Sequence, residues 1–445
     1  MNKKDVIIVI FGATGDLTAR KLLPALHSLY EQREIAKNTL VLAVGRKPHN
    51  TKSYLQEMKT TINSKLDVEF LEQFVEYVQL EITKPEEYDK LKQIIQNSEH
   101  KNTKKMFYMA ISPNLLPQVS KNIYNSKLVT KGNLKETIVF EKPFGNDLKT
   151  AKRINKMLWK FFSEEQIYRI DHYLGKESIQ NIMTMRFANR IFEAVWNRRH
   201  IKSITIFAKE KDGILNRANY YDQAGAVRDM VQSHLLQVLA LLTMRAPKSY
   251  LSKDVKHQKV KVLKKLKFNK NKLVFGQYKG YLDESNVKTN STTETYVALE
   301  VYVKNKKFKN VPFYLVTGKK LNKKEAGILI EFKETKEQKK WGLPLKTNKL
   351  FIEIAPSDGV KVSFNSKIPA LRNNIQEVEL EYASKSRAVG NIPEAYERLL
   401  LDALEGSKTL FTRWDEIESL WKFTDKVKKQ KTKLIIYENE FDLKN

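Results

Sequence analysis

The chain reads as an α/β protein in two parts. Residues 1–170 form an N-terminal Rossmann-type dinucleotide-binding domain. Residues 171–445 form a larger C-terminal α+β domain with a mixed, largely antiparallel sheet. Three observations predict this. Short apolar runs alternate with amphipathic stretches through the first 170 residues, the pattern of βαβ units and a parallel sheet. A glycine-bearing turn, Gly12-Ala13-Thr14-Gly15, follows the first apolar run at once. Beyond residue 200 the apolar runs lengthen and several alternate with polar residues, as in Tyr296-Val-Ala-Leu-Glu-Val-Tyr-Val303, which fits a sheet with one wetter face.

The elements follow in order. Strands are predicted over 6–11, 40–44, 74–80, 106–110, 137–140 and 166–170, with helices between them, for example over 22–29 and 88–95. In the second part, strands are expected over 201–207, 296–303, 327–332, 350–354 and 378–382. Met230 to Met244 is apolar on most sides and predicts a buried helix; Pro393 to Trp421 predicts helices packed on the sheet. In the lysine-dense run from Lys253 to Lys272, Val260, Leu263 and Leu266 recur at three-residue spacing. That predicts a solvated helix with an apolar stripe.

Composition narrows the function. Eighty Lys and Arg face 51 Asp and Glu, a net charge of +29. Such a field attracts polyanions or small phosphorylated ligands. Nucleic acid is the weaker reading, because Phe268 is the sole aromatic residue within the densest basic run. Absence of cysteine excludes disulfide and thiolate chemistry and fits a reducing cytoplasm. The longest apolar runs are too short to span a bilayer, and Met1-Asn-Lys-Lys leads straight into a strand rather than a signal peptide. No cluster has metal-ligand spacing, so no metal is expected.

The motifs carry the chemistry. Gly12, Ala13, Thr14, Gly15, Asp16 and Leu17 join the first strand to a helix, where backbone and helix dipole can meet a pyrophosphate. Ile10 occupies the first glycine position of the generic fingerprint, so an ordinary strand–helix turn remains the other reading. Arg46, backed by Lys47, ends the second strand, where a basic residue accommodates a ribose 2′-phosphate and favours NADP over NAD. Lys142 lies in Glu141-Lys-Pro-Phe-Gly145, a strand-ending turn in which Pro143 is a candidate for a cis bond. Arg169-Ile-Asp-His-Tyr-Leu-Gly-Lys-Glu177 packs an acid, an imidazole and an ammonium into nine residues at a strand's carboxyl end, where open α/β sheets bind ligands. Tyr220 to His234 leads into the buried helix. Asp229 and His234 are five apart and so lie on different parts of an α-helix; a carboxylate partner for His234 is expected from elsewhere. Thr317-Gly-Lys-Lys320 is a basic turn. His27, His49, His100, His200 and His257 stand in no comparable setting.

Taken together and in order, these segments resemble the glucose-6-phosphate dehydrogenase family, from about residue 6 to residue 425. The stretches that carry the likeness are Gly12 to Leu26, Glu141 to Gly145, Arg169 to Glu177, Arg186-Phe-Ala-Asn189, Tyr220 to His234, Val311 to Lys319 and Pro393 to Leu400. The resemblance implies oxidation of β-D-glucose 6-phosphate at C1 with NADP, NAD being a further acceptor. It implies His234 as general base and Asp171 as the carboxylate that supports it, with Lys176 and His172, beside Tyr173, on the sugar phosphate. It implies Glu210, Asp229, Lys319 and Lys324 as further substrate residues, and places Lys142 and Lys21 near nicotinamide and substrate. It also implies a homodimer or homotetramer. A dehydrogenase of another aldose or aldose phosphate, or an inactive basic partner-binding relative, would share the same motifs. Val316, where the family usually has arginine, and a shortened stretch between Met244 and Tyr296 depart from the pattern.

Overall fold

A computed structural model describes residues 5–62, 66–98, 103–341, 346–369, 371, 374–383 and 394–440. Pro393 and His100 lie outside them. The chain divides into two compact units.

The first unit comprises residues 1–175 with 251–253 and 393–418. Its sheet is built from β1 (Val6–Phe11), β2 (Leu40–Gly45), β3 (Val75–Gln79), β4 (Lys104–Met109), β5 (Glu136–Phe140) and β6 (Ile167–Ile170). These pair in parallel in the order β6-β5-β4-β1-β2-β3. This is the doubly wound dinucleotide-binding order, reversing beside β1. Every residue of β1 and β5 is buried. That is why these strands read as continuous apolar runs: helices cover both faces of a parallel sheet. Ile7, Val9, Phe11, Phe107, Ile138 and Phe140 form one core cluster, each side chain contributing about 1.5–3 kcal/mol by burial. The helix Leu148–Phe161 starts where Asp147 accepts the Thr150 N–H at 2.7 Å in a reciprocal cap. The expected 22–29 and 88–95 helices are Leu23–Glu31 and Tyr88–Asn97. A two-residue strand from the C-terminal part, Phe411–Thr412 (β15 in chain order), adds antiparallel to β6.

The second unit comprises residues 176–250, 254–392 and 419–445. Its strands are β7 (Ile201–Lys209), β8 (Leu266–Tyr278), β9 (Tyr296–Val303), β10 (Phe313–Gly318), β11 (Glu325–Phe332), β12 (Lys349–Ala355), β13 (Gly359–Lys367), β14 (Ile375–Ala383) and β16 (Leu434–Tyr437). They run in the order β14-β13-β12-β11-β7-β10-β9-β8-β16. The pairs β7–β10 and β8–β16 are parallel and the others antiparallel, so the sheet is mixed and largely antiparallel as expected.

The lysine-dense run corrects the sequence reading. Its helix covers Ser252–Leu263 only. Leu266 already belongs to β8, facing Val303 across an antiparallel ladder. Pairing with a distant strand overrode the local three-residue periodicity. Lys256 and Lys259 are buried rather than solvated.

Candidate active site

The carboxyl edge of the first sheet holds a cleft of about 230 Å³, lined in part by Gly12, Thr14, Gly15, Arg46, Ala110 and Ser112. Gly12 shapes it. Its φ is +86°, and a Cβ there would lie 2.2 Å from the Ala110 carbonyl oxygen. The turn is tied down by Gly12 and Ala13 N–H groups donating to the Val44 carbonyl at 3.2 and 2.9 Å. The Thr18 hydroxyl donates to the Gly12 carbonyl at 3.1 Å, and buried Tyr54 donates to the Ala13 carbonyl at 3.0 Å. A wide π-turn, Thr18–Leu22, then leads into the first helix. Asp16 is exposed and bonded to Arg20, and Leu17 flanks the turn. This bare, narrow backbone turn beside a helix start fits a dinucleotide pyrophosphate.

Arg46 stands exposed at the cleft. Lys47, expected to back it, is instead engaged with Glu57, whose carboxyl this lysine holds below the usual range. His49 reaches the same Glu57 at 2.7 Å. Lys21 is exposed and pairs with Glu394 at 3.0 Å.

Further along the same edge, β5 leads into Glu141 and Lys142, and the Lys142–Pro143 peptide is cis as anticipated. Glu141 was not singled out by sequence. It accepts the Tyr108 hydroxyl at 2.6 Å and the Tyr396 hydroxyl at 3.2 Å. Burial raises its carboxyl above the usual range, opposed by those hydroxyl bonds and by Lys142. The cluster fixes the strand end that presents Lys142. At the end of β6, Asp171 is buried and accepts the Tyr173 N–H at 3.1 Å while its carbonyl accepts from Leu174 at 3.0 Å. The tight turn leaves His172 half-buried, its ring 5.3 Å from that of Tyr173. Arg169, just before, is fully buried and bonded through both terminal nitrogens to Glu164, a structural role.

In the second unit, Lys176 caps the start of helix Glu177–Ala188 and is half-buried. β7 and β10 run in parallel with Gly318 facing Lys209. Glu210 and Lys319 therefore emerge side by side, one residue further on, and pair at 2.6 Å. The Lys319 backbone is gripped by Thr295 and by the Tyr437 hydroxyl, and its ammonium lies 5.2 Å from the Tyr221 ring centroid. Lys324 is exposed in the turn before β11.

Asp229 and His234 occupy one π-helical segment, Val227–Leu235, and both are buried. Five residues in an α-helix leave two side chains about 140° apart in azimuth. The segment is π-helical, its backbone bonds linking i and i+5, so the two side chains lie closer in azimuth than an α-helix would put them. Tyr220 donates to Asp229 at 3.2 Å. The segment's entrance is held by Glu294, also missed by sequence. Its backbone and side chain accept the N–H groups of Ala226 and Val227, while Lys428 holds its far oxygen at 2.6 Å. Val316 is half-buried against an apolar cluster that includes Tyr221 and Tyr296, surroundings that suit valine.

Comparison with known proteins places these features. Residues 9–181 match the family described as glucose-6-phosphate dehydrogenase, NAD binding domain, and residues 183–442 match glucose-6-phosphate dehydrogenase, C-terminal domain. A glucose-6-phosphate 1-dehydrogenase of Bacillus subtilis (strain 168) is 38% identical over 95% of this chain and 90% of its own length. The Chlamydia muridarum (strain MoPn / Nigg) counterpart is 37% identical over 96% and 90%. A solved glucose-6-phosphate dehydrogenase in complex with its substrate glucose-6-phosphate superposes with a TM-score of 0.90 at 33% identity, covering 98% of this chain and 94% of that one.

Proposed function

Because the chain belongs to the glucose-6-phosphate dehydrogenase family, we infer that it oxidises β-D-glucose 6-phosphate at C1 to 6-phosphogluconolactone, NADP supplying the hydride acceptor. The observation that carries this is likeness over nearly the whole chain to proteins named for that reaction. The bare Gly12–Gly15 turn and its cleft fit the dinucleotide, with Arg46 toward a 2′-phosphate. His234 takes the C1 hydroxyl proton, a general-base task for which an imidazole is the commonest side chain. In the family's pattern Asp171 is the carboxylate that supports its charged form. Lys176, His172 and Tyr173 serve the phosphate end of the sugar. Glu210, Asp229, Lys319, Lys324, Lys142 and Lys21 serve its hydroxyls and the reacting carbon. Supporting the carbohydrate role of Lys319 and Glu210 is their prepaired geometry, a donor and an acceptor held 2.6 Å apart for a polyhydroxyl ligand.

Residues 1–170 bind the dinucleotide, and residues 171–445 bind substrate and carry the oligomer contacts. The oligomer is a homodimer or homotetramer, supported by the exposed Phe364, Leu380 and Tyr382 on β13 and β14. The setting is cytoplasmic, supported by the absence of cysteine. No helix among the described residues is long and apolar enough to cross a membrane.

The test is absorbance at 340 nm with purified protein, glucose 6-phosphate and either dinucleotide. Growth of signal with NADP, and faster than with NAD, is the expected result. A flat trace with both from folded protein, or a faster one with galactose 6-phosphate or free glucose, overturns the substrate assignment.

A further inference from the structure

A second cleft, of about 660 Å³, opens within the second unit. It is lined by Arg198, Arg199, His200, Arg245, Lys306 and Lys307. The rest of its wall is Ala194, Asn197 and Ala246, so no carboxylate lines it. The cations come from three separate segments: the turn before β7, the chain after the helix Leu236–Thr243, and the turn after β9. Backbone bonds hold these segments together. The Arg198 N–H donates to the Lys307 carbonyl at 2.7 Å, and the Trp196 indole donates to the Leu242 carbonyl at 2.9 Å. Lys333 donates through its side chain to the Arg198 carbonyl at 2.9 Å and through its backbone to the His200 carbonyl at 2.7 Å. These bonds fix the backbone from which the exposed lining side chains project.

The charge in this wall is uncompensated. Among the described residues, none of the five lining arginines and lysines forms an ion pair. Glu193, the acid that acts on Lys307, is itself bonded to Arg190 at 2.8 Å. Arg186 is fully buried, and its terminal nitrogens donate to the Leu241 and Met244 carbonyls. Its Nε has no acceptor, and its guanidinium lies 5.5 Å from the Trp196 ring centroid. Burial brings Arg186 down to about 9. Lys307 is lowered by its own burial and then by Arg186. Arg198, Arg199, Arg245 and Lys306 are exposed around the half-buried Lys307, with buried Arg186 behind it. Like charges gathered there repel, and a multiply charged anion relieves that repulsion while gaining charge-assisted hydrogen bonds.

We propose that this cleft is an anion site for a small ligand bearing two or more phosphate groups, sharing no residue with the dinucleotide turn or the sugar-phosphate residues. Its concave volume lies in the range of small-molecule sites. No aromatic side chain lines it to stack a base, which favours a compact polyphosphate over a nucleic acid strand. None of its cations serves the dehydrogenase reaction, so the site stands or falls independently of that function.

The experiment is calorimetric titration of the full chain with inorganic triphosphate at fixed ionic strength. One saturable site is expected, weakened about 100-fold or more in the Arg198→Ser/Arg245→Ser double variant, since each charged bond is worth about tenfold or more. The variant should keep its dehydrogenase activity, and triphosphate should raise the melting temperature of the parent protein but not of the variant. Lys306→Glu alone should weaken binding in the same direction, which guards against a folding defect in the double variant. Undiminished binding in these variants overturns the proposal. So does loss of binding in Lys176→Ala or Arg46→Ala, which would put triphosphate in the sugar-phosphate or 2′-phosphate positions. A DNA duplex that displaces triphosphate at lower concentration, through the same arginines, would make the cleft a nucleic-acid contact instead.

Discussion

On the proposed reading, two side chains carry most of the chemistry. His234 is fully buried on the π-helical segment that also carries Asp229, where an apolar helix alone would have read it as a core residue. His234→Asn preserves shape and hydrogen bonding but removes the base, so kcat should fall by about 10²–10⁴ with the KM for glucose 6-phosphate little changed. Steady-state kinetics decide this; unchanged turnover would strike His234 from the mechanism. Arg46 is the other. With Lys47 paired to Glu57, the proposed reading leaves Arg46 alone to face the 2′-phosphate. Arg46→Ala should raise the KM for NADP about tenfold or more and that for NAD less than about twofold. Equal losses would show that it does not read the 2′-phosphate. Sequence exposed Arg46 directly, as a basic residue after β2, whereas His234 was legible only through the family resemblance, the rare-type cluster at a strand end being Asp171, His172 and Lys176. It could not expose Glu57, Glu141 or Glu294. Each is one acid among 51, and its role comes from a partner brought close only by folding.

At the scale of the element, the π-helix Val227–Leu235 depends on the turn before it. Gly225 has φ +67° and ψ 171°, a region open to glycine alone, and a Cβ there would lie 2.5 Å from the Glu294 carboxylate. Glu294 is the group that caps the segment through Ala226 and Val227. Gly225→Ala should therefore cost about 2–4 kcal/mol, seen as a lower melting temperature. It should also lower kcat, because the segment carrying His234 loses its anchor. A variant with the parent melting temperature and turnover would show that this turn does not hold the helix. The six strands of the parallel sheet were legible because each carries a short apolar stretch between helical patterns, unbroken in β1, which is buried on both faces. β8 and β13 were not. They alternate polar residues on a half-wet surface, and β8 opens in a lysine-rich stretch whose short-range spacing mimics a helix. The two π-turns were equally hidden, since hydrogen bonds to i+5 leave no mark in composition.

For the molecule as a whole, the telling feature is that the chain returns to its first unit near its C-terminus. Residues 394–418, whose helices were expected on the second sheet, belong instead to the first unit, where Phe411–Thr412 pairs with β6, and Lys408 secures the return. Its ammonium donates to the Glu164 and Glu165 carbonyls at 2.7 and 3.0 Å and lies 4.7 Å from the Tyr168 ring centroid. Burial depresses it to about 8; Glu164 and Glu165 oppose the shift, and Arg169 adds to it. The unfolded lysine keeps its proton to about 10.4. Between those values the unfolded chain binds the extra proton, so stability rises with pH. Below pH 8 both states are charged and the contribution no longer varies. Replacing the group by a neutral one of similar length, Lys408→Met, removes this slope. The unfolding free energy of the parent minus that of the variant should therefore climb as pH rises from 8 toward 10.4, by at most about 3 kcal/mol. Denaturant titrations of both proteins at pH 7.5, 8.5 and 9.5 would measure it. Taking the difference removes the buried tyrosines, which titrate alike in the two. A flat difference would mean that Lys408 stays charged in the folded protein, and that the returning segment is held by the apolar contacts of Phe411 and the Trp159–Trp414 ring pair instead.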